Sequence, residues 1–385
     1  MKKIFQNIRR YWRETTDAQR FLSKSREDRP LVFYSEDTAS FNMLQGYVDA
    51  LLEMGHPIHY LTSAFDDPIF SGYDERLCPL YLNNLLPSIL PKIDSQVLVT
   101  TMPDLGKLHV RRPPSSCDLV YVFHSLNSIH EVYREGAFDN YDHFFCTGPH
   151  HKQELSAQFK LIGKPCPELH EVGYYKLDRI KTAFDQYQKK SEQATILVAP
   201  SWGDGNLLES HGTEIVKTLL ALDLNVVVRP HPCFFLPIYP NGSLCIAELK
   251  AKFSQCPNFT LERSIASEDS FFEADLMISD FSGAAFEYAF GTSRPVLFVD
   301  VARKTKNKNW KLLGLDTFED KMRFQLGTVI DPSSVKSIGD QAKSLINNQN
   351  KHAQRIAEIR SKSIYNFGNA SQSGAAVIDQ ILNNK

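Results

Sequence analysis

Short apolar runs recur along this chain, and each gives way to polar loop residues and then to a helical pattern. Leu31–Tyr34, Ile58–Leu61, Val97–Thr100, Leu119–Phe123, His143–Cys146 and Leu169–Val172 form a first series; Thr195–Ala199, Val226–Val228, Phe259–Leu261, Leu276–Ile278 and Val296–Val299 form a second. A strand that is apolar throughout is covered on both faces, and helices between such strands are the crossovers of a parallel sheet. Helical spacing runs from Phe41 to Leu52 with Gly55 as a C-cap, and again over 212–222, 247–253 and 284–290. The polar stretch Lys181–Gln193 separates the two series. The simplest architecture is therefore two α/β domains with parallel sheets, 29–185 and 186–366, facing each other over a central cleft. Two more helices are expected at 335–347 and 353–364. A Gly/Ser-rich bend at 368–374 then leads to a last helix at 375–382, within a segment 367–385 that packs back on the first domain. No short fixed period marks a solenoid.

A length of 385 residues suits two domains, and 42% hydrophobic with 23% charged residues is a globular composition. The formal net charge of -2 argues against nucleic acid as a partner. Seven scattered cysteines without a CxxC pair imply neither a disulfide framework nor a zinc site, and fit a reducing, cytoplasmic setting. No run approaches the roughly 20 apolar residues of a spanning helix. The basic N-terminus lacks the apolar core and cleavage site of a secretory signal.

Residues 1–28 read as a basic amphipathic helix. Ile4, Phe5, Ile8, Tyr11 and Trp12 recur at helical spacing, with Lys2, Lys3, Arg9, Arg10 and Arg13 on the remaining surface. Such a helix either lies on an anionic membrane or packs its aromatics on the parent domain.

Ligands of open α/β sheets bind beyond the carboxyl ends of the strands, and the informative residues fall there. Arg229-Pro230-His231-Pro232 follows one strand: a stiff turn delivers a guanidinium and an imidazole together, as a phosphate site requires, although a proline turn with an incidental histidine has the same sequence. Ser279-Asp280-Phe281-Ser282-Gly283 follows another and runs into a helix bearing Glu287; the Ser279 and Ser282 hydroxyls and the helix N-terminus form an anion cradle or, more plainly, a cap. Ser201 and Trp202 close the strand at 195–199, where the indole either stacks on a base or fills the loop. In the first domain, His124 at a strand end is a candidate general base, with Asp104 to orient it or bind an acceptor hydroxyl. His150, His151 and Glu154 lack the spacing of a metal site and read as residues of a helix N-terminus. Neither a Walker A loop, a GxSxG elbow nor a GxGxxG fingerprint is present.

Taken in order, these stations resemble the CDP-glycerol glycerophosphotransferase family of teichoic-acid and capsule synthesis. His124-Ser125 is similar to its HG-type histidine, Gly173–Asp178 to its G-x-P-R-x-D segment, and Ala199–Trp202 to its A-P-T-W strand end. Arg229 and His231 are similar to its basic residue and histidine, and Asp275–Ser282 with Glu287 to its D-x-x-I-[ST]-D-[YF]-S segment and downstream acid. Serine replaces the glycine after His124, and Tyr175-Lys176 stands in place of Pro-Arg. The resemblance implies a GT-B fold, peripheral membrane association at the inner face, and a CDP-polyol donor held in the second domain by Arg229, Ser279, Asp280, Ser282, Gly283, Glu287, Ser201 and Trp202. It also implies a polysaccharide or lipid-linked acceptor entering from the first, with His124, His231 and Asp104 as catalytic residues. No cofactor or metal is called for beyond the nucleotide-activated substrate. A UDP- or CMP-sugar glycosyltransferase or epimerase of the same fold, and a non-catalytic scaffold that binds polymer or lipid, are the rival readings.

Overall fold

The computed structural model describes residues 2–107, 110–263 and 267–384, with side chains from Phe5 onward. The side chains of Lys2, Lys3 and Ile4 lie outside the described residues. Among the described residues thirteen strands form two sheets, parallel throughout. The first contains β1 (Leu31–Ser35), β2 (Ile58–Thr62), β3 (Leu77–Tyr81), β4 (Val97–Thr100), β5 (Asp118–Val122), β6 (His143–Cys146) and β7 (Glu168–Glu171), in the order β3-β2-β1-β4-β5-β6-β7. The second contains β8 (Thr195–Val198), β9 (Asn225–Val228), β10 (Phe259–Leu261), β11 (Leu276–Ser279), β12 (Val296–Val299) and β13 (Gly327–Ile330), in the order β10-β9-β8-β11-β12-β13. Both are doubly wound, and each has a topological switch point: β1/β4 in one, β8/β11 in the other.

Two compact units carry these sheets. One comprises 1–124, 133–176 and 364–385; the other comprises 125–132 and 177–363. The division thus falls earlier than the polar stretch 181–193 suggested, inside the helix Tyr175–Gln186. Leu177 and Ile180 of that helix pack on Gly291, where a Cβ would collide with Ile180, so its apolar face belongs to the second core. The short segment 125–132 joins the second unit because Asn127 Nδ2 donates to Glu319 Oε1 (2.7 Å) and the Ser128 N–H donates to Glu319 Oε2 (3.1 Å). A strand-by-strand reading has no access to a bond that spans so much chain.

In the first unit, Phe33, Tyr60, Val99, Val122 and Phe145 build the core between the sheet and the helix Thr38–Glu53. The last helix spans Ala370–Asn383, beginning inside the stretch expected as a bend, and packs on Thr38–Glu53. Gly374 makes that approach possible, since a Cβ there would strike Tyr47, and His56 Nε2 meets Asp379 Oδ1 at 2.8 Å. The N-terminal helix Lys2–Leu22 docks by its second half: Glu14 accepts the N–H groups of Asn83 (2.6 Å) and Leu85 (2.7 Å), Asp17 accepts that of Tyr81 (2.8 Å), and Phe21 is fully buried. In the second unit, Ile196, Val198, Val226, Val228, Leu276 and Ile278 are buried against the helices Leu207–Leu220 and Pro240–Phe253.

Candidate functional site

The register of the second sheet brings the loops together. Val198 lies beside Val228 on one side and Ile278 on the other, so the segments that begin at Ala199, Arg229 and Ser279 leave the same edge in adjacent positions. Asp280 locks two of them at the switch point. Fully buried, it accepts the Ser201 N–H (2.7 Å) and the Leu207 N–H (3.3 Å). Burial raises its carboxyl above the usual range, against the pull of those donors and of the Ser282 N–H. Ser279 is also fully buried, and its hydroxyl donates to the Ala199 carbonyl at 2.7 Å. These two expected ligand contacts therefore shape the loop rather than face a ligand. Gly203 and Gly205, with φ of 112° and 73°, turn the backbone into Asn206, which caps the helix Leu207–Leu220.

Ser282 is the N-cap of the helix Gly283–Thr292, with no side-chain hydrogen bond to the cap. At Gly283 a Cβ would lie 2.5 Å from Asn127 Oδ1, so glycine lets the segment 125–127 pass over this helix start. Glu287 is buried within the helix.

After β9, the two basic residues take different directions. Arg229 Nη1 donates to the Ser267 carbonyl (2.9 Å) and Ser270 Oγ (2.8 Å), stands 3.6 Å from Glu262 and lies over the Phe271 ring. Its guanidinium thus holds the neighbouring loop through Nη1. His231 instead stacks near Trp202, ring centroids 5.8 Å apart. Its Nδ1 accepts the Cys233 N–H at 3.2 Å, which places the imidazole proton on Nε2. Burial and then Lys304 push its pKa down to about 4, so the ring is a neutral donor at pH 7. Lys304 follows β12, and its ammonium lies 3.1 Å from the centroid of the Trp202 ring. Neither Lys304 nor the Asn127–Ser128–Glu319 clamp was singled out from the sequence; the strand-end rule would have flagged the first, and nothing local signals the second.

In the first unit, Tyr34 pairs with Thr100 and Thr100 with Tyr121, so the loops after β1, β4 and β5 also share an edge. His124 is exposed there; its Nε2 lies 3.1 Å from the Tyr133 hydroxyl, and its carbonyl accepts from Tyr174 (2.9 Å). Asp104 sits at φ 64°, held by its N–H to the Ala137 carbonyl (2.9 Å). Glu36, directly after β1, is a further titratable group at this edge. Its side chain reaches the surface, yet desolvation, Asp37 and Asp104 raise its pKa to about 7. His151, in the first turn of the helix Pro149–Leu161, packs on Phe123 with centroids 3.9 Å apart and bonds Thr147 Oγ1 at 3.0 Å. Among the described residues no group of three or more His, Cys, Asp or Glu is placed to hold a metal, and no helix is long and apolar enough to cross a membrane.

No protein-family model matches the sequence, and no curated protein matches it. Solved structures do. The wall teichoic acid polymerase TagF superposes over 100% of this chain and 98% of its own, with a TM-score of 0.59 at 13% identity. A putative UDP-N-acetylglucosamine 2-epimerase from Listeria monocytogenes covers 93% of this chain and 98% of its own, with a TM-score of 0.61 at 13% identity. WaaG, a glycosyltransferase involved in lipopolysaccharide biosynthesis, covers 90% and 99%, with a TM-score of 0.52 at 11% identity. With its two doubly wound parallel-sheet units, the chain has the GT-B fold.

Proposed function

We propose that this protein is a transferase that moves a polyol phosphate from a CDP-activated donor, such as CDP-glycerol, to a hydroxyl of a cell-surface polysaccharide or lipid-linked acceptor, releasing CMP. The observation that carries the reading is the convergence of Trp202, neutral His231 and the Ser282 cap at one sheet edge, on the switch point. An aromatic face, an N–H donor and a helix N-terminus suit a base and a diphosphate. The order of stations shared with glycerophosphotransferases, and the likeness in fold to TagF, favour a polyol phosphate over a sugar as the transferred group.

In this reaction the acceptor oxygen bonds the β-phosphorus while the bond to the bridging oxygen breaks, and CMP departs with that oxygen's electron pair. His231 Nε2–H and the Ser282 helix start neutralise charge on the departing phosphate, the kind of positioning and electrostatics on which phosphoryl transfer depends. The candidate bases for the acceptor proton are His124, beside the Tyr133 hydroxyl, and Glu36 with its raised pKa.

The N-terminal helix supports a peripheral site of action on an anionic inner membrane face. Phe5, Ile8, Tyr11 and Trp12 are 68%, 48%, 62% and 66% exposed. Arg9, Arg10 and Arg13 gather over the Phe65 ring. The aromatics thus face away from the protein, on a helix that also carries cations.

Incubation with CDP-glycerol, CDP-ribitol, CMP-Kdo and UDP-sugars, read as thermal stabilisation, tests the donor class. A rise in Tm with a CDP-polyol is expected. Stabilisation by UDP-sugars alone would replace this reading with that of a sugar-nucleotide enzyme.

A further inference from the structure

Among the described residues Lys304 is a cation without an anionic partner. The loop after β12 carries four basic residues close together, Arg303, Lys304, Lys306 and Lys308. Arg303 is paired twice, with Glu131 at 3.3 Å and with Asp320. No carboxylate is paired with Lys304 among the described residues; its ammonium rests on the Trp202 indole instead. Glu209, at the start of the helix after the Trp202 loop, is engaged by the Gly205 N–H (2.6 Å), the Tyr239 hydroxyl (3.0 Å) and Asn241 Nδ2 (2.9 Å). Burial and Lys306 hold the Lys304 pKa down at about 8, and Lys304 in turn depresses His231. A half-buried ammonium, kept in place by a π face and next to an imidazole N–H, marks an electropositive spot lacking an anion. Arg229, the cation expected for that task, is committed elsewhere.

We propose that Lys304 is a ligand of the donor diphosphate: its ammonium moves from the Trp202 face to bond the phosphate oxygens of a bound nucleoside diphosphate beside His231 Nε2–H. The inference rests on the reading of this sheet edge as the donor site, but not on which nucleoside is bound. A flexible ammonium can leave the indole for a diphosphate because a charge-assisted hydrogen bond outweighs a cation–π contact.

Calorimetric titration with CDP, UDP and pyrophosphate, on the full chain, tests it. Lys304→Met is expected to weaken binding of the favoured nucleotide and of pyrophosphate about ten- to a hundredfold, with Lys304→Arg recovering part of the loss. The exposed Lys308→Met serves as the control for net charge. Melting curves establish that each variant is folded, and the arginine variant keeps the test decisive if the methionine variant is not. Unchanged affinity in Lys304→Met and Lys304→Arg, with Ser282→Ala still weakened, would overturn the assignment of Lys304 and leave the donor site standing. Binding of UDP but not CDP, lost in Lys304→Met, would uphold Lys304 and remove the cytidine reading. Failure of the wild type to bind any of the three would remove both.

Discussion

A serine at a helix start either caps the helix or serves a ligand, and Ser282 makes no side-chain cap hydrogen bond in this fold. Ser282→Ala should therefore leave the melting temperature nearly unchanged while donor affinity falls about ten- to a hundredfold, as for one lost hydrogen bond to a charged group. Unchanged binding by titration would reduce Ser282 to a cap. The two histidines differ in kind. His231 is expected to touch phosphate in both ground and transition states, so His231→Ala should weaken donor binding and slow turnover together. His124→Ala should preserve donor affinity and lower kcat by about 10²–10⁴, the range for a lost general base. A pH–rate limb near pH 7 that survives in His124→Ala and vanishes in Glu36→Gln would transfer the role to Glu36. Histidines also set the acid stability. His59 is 7% exposed, and burial followed by Arg29, Lys24 and Arg20 holds its pKa down at about 4. Between pH 6.5 and 4 the unfolded chain takes up a proton that the folded chain does not, so stability present above about pH 6.5 is lost as pH falls through that window. The loss has an upper bound of ~3 kcal/mol, and His59→Gln should flatten the pH dependence of denaturant midpoints there.

At the scale of elements, the N-terminal helix divides into a docked half and a projecting half. Removal of residues 1–12 leaves Glu14, Asp17 and Phe21 on β3 and the chain that follows it, and should abolish co-sedimentation with anionic vesicles at low salt without lowering Tm. Equal sedimentation of the truncated protein would place the membrane contact elsewhere. The strands show why part of the fold was legible. β1, β4, β8 and β12 are buried along their full length, and apolar runs with that property stand out most plainly in a sequence, although the partly exposed β7, β9 and β10 are also legible as short apolar runs. β3 contains Pro79 and closes one edge, and β13 closes the edge of the other sheet with three half-buried residues, so neither has the apolar continuity that marks a central strand. Strand ends located the site loops, but side-chain direction did not follow: Arg229 and His231 are two residues apart, and only the imidazole turns to Trp202.

For the whole molecule, the GT-B fold leaves open which bond breaks, since glycosyl and phosphoryl transfer use the same sheet edges. The difference lies in the leaving group. Attack on the β-phosphorus of a CDP-polyol releases CMP and joins the polyol phosphate to the acceptor; attack at the carbon of a nucleoside diphosphate donor releases the whole nucleoside diphosphate. Incubation of the purified protein with CDP-glycerol and a polysaccharide or lipid-linked hydroxyl acceptor, followed by phosphorus NMR of the products, reads this directly. CMP is expected in step with a new phosphodiester on the acceptor, both lost in His231→Ala. Turnover of a UDP- or CMP-sugar with none of CDP-glycerol or CDP-ribitol, or release of CDP in place of CMP, would contradict it.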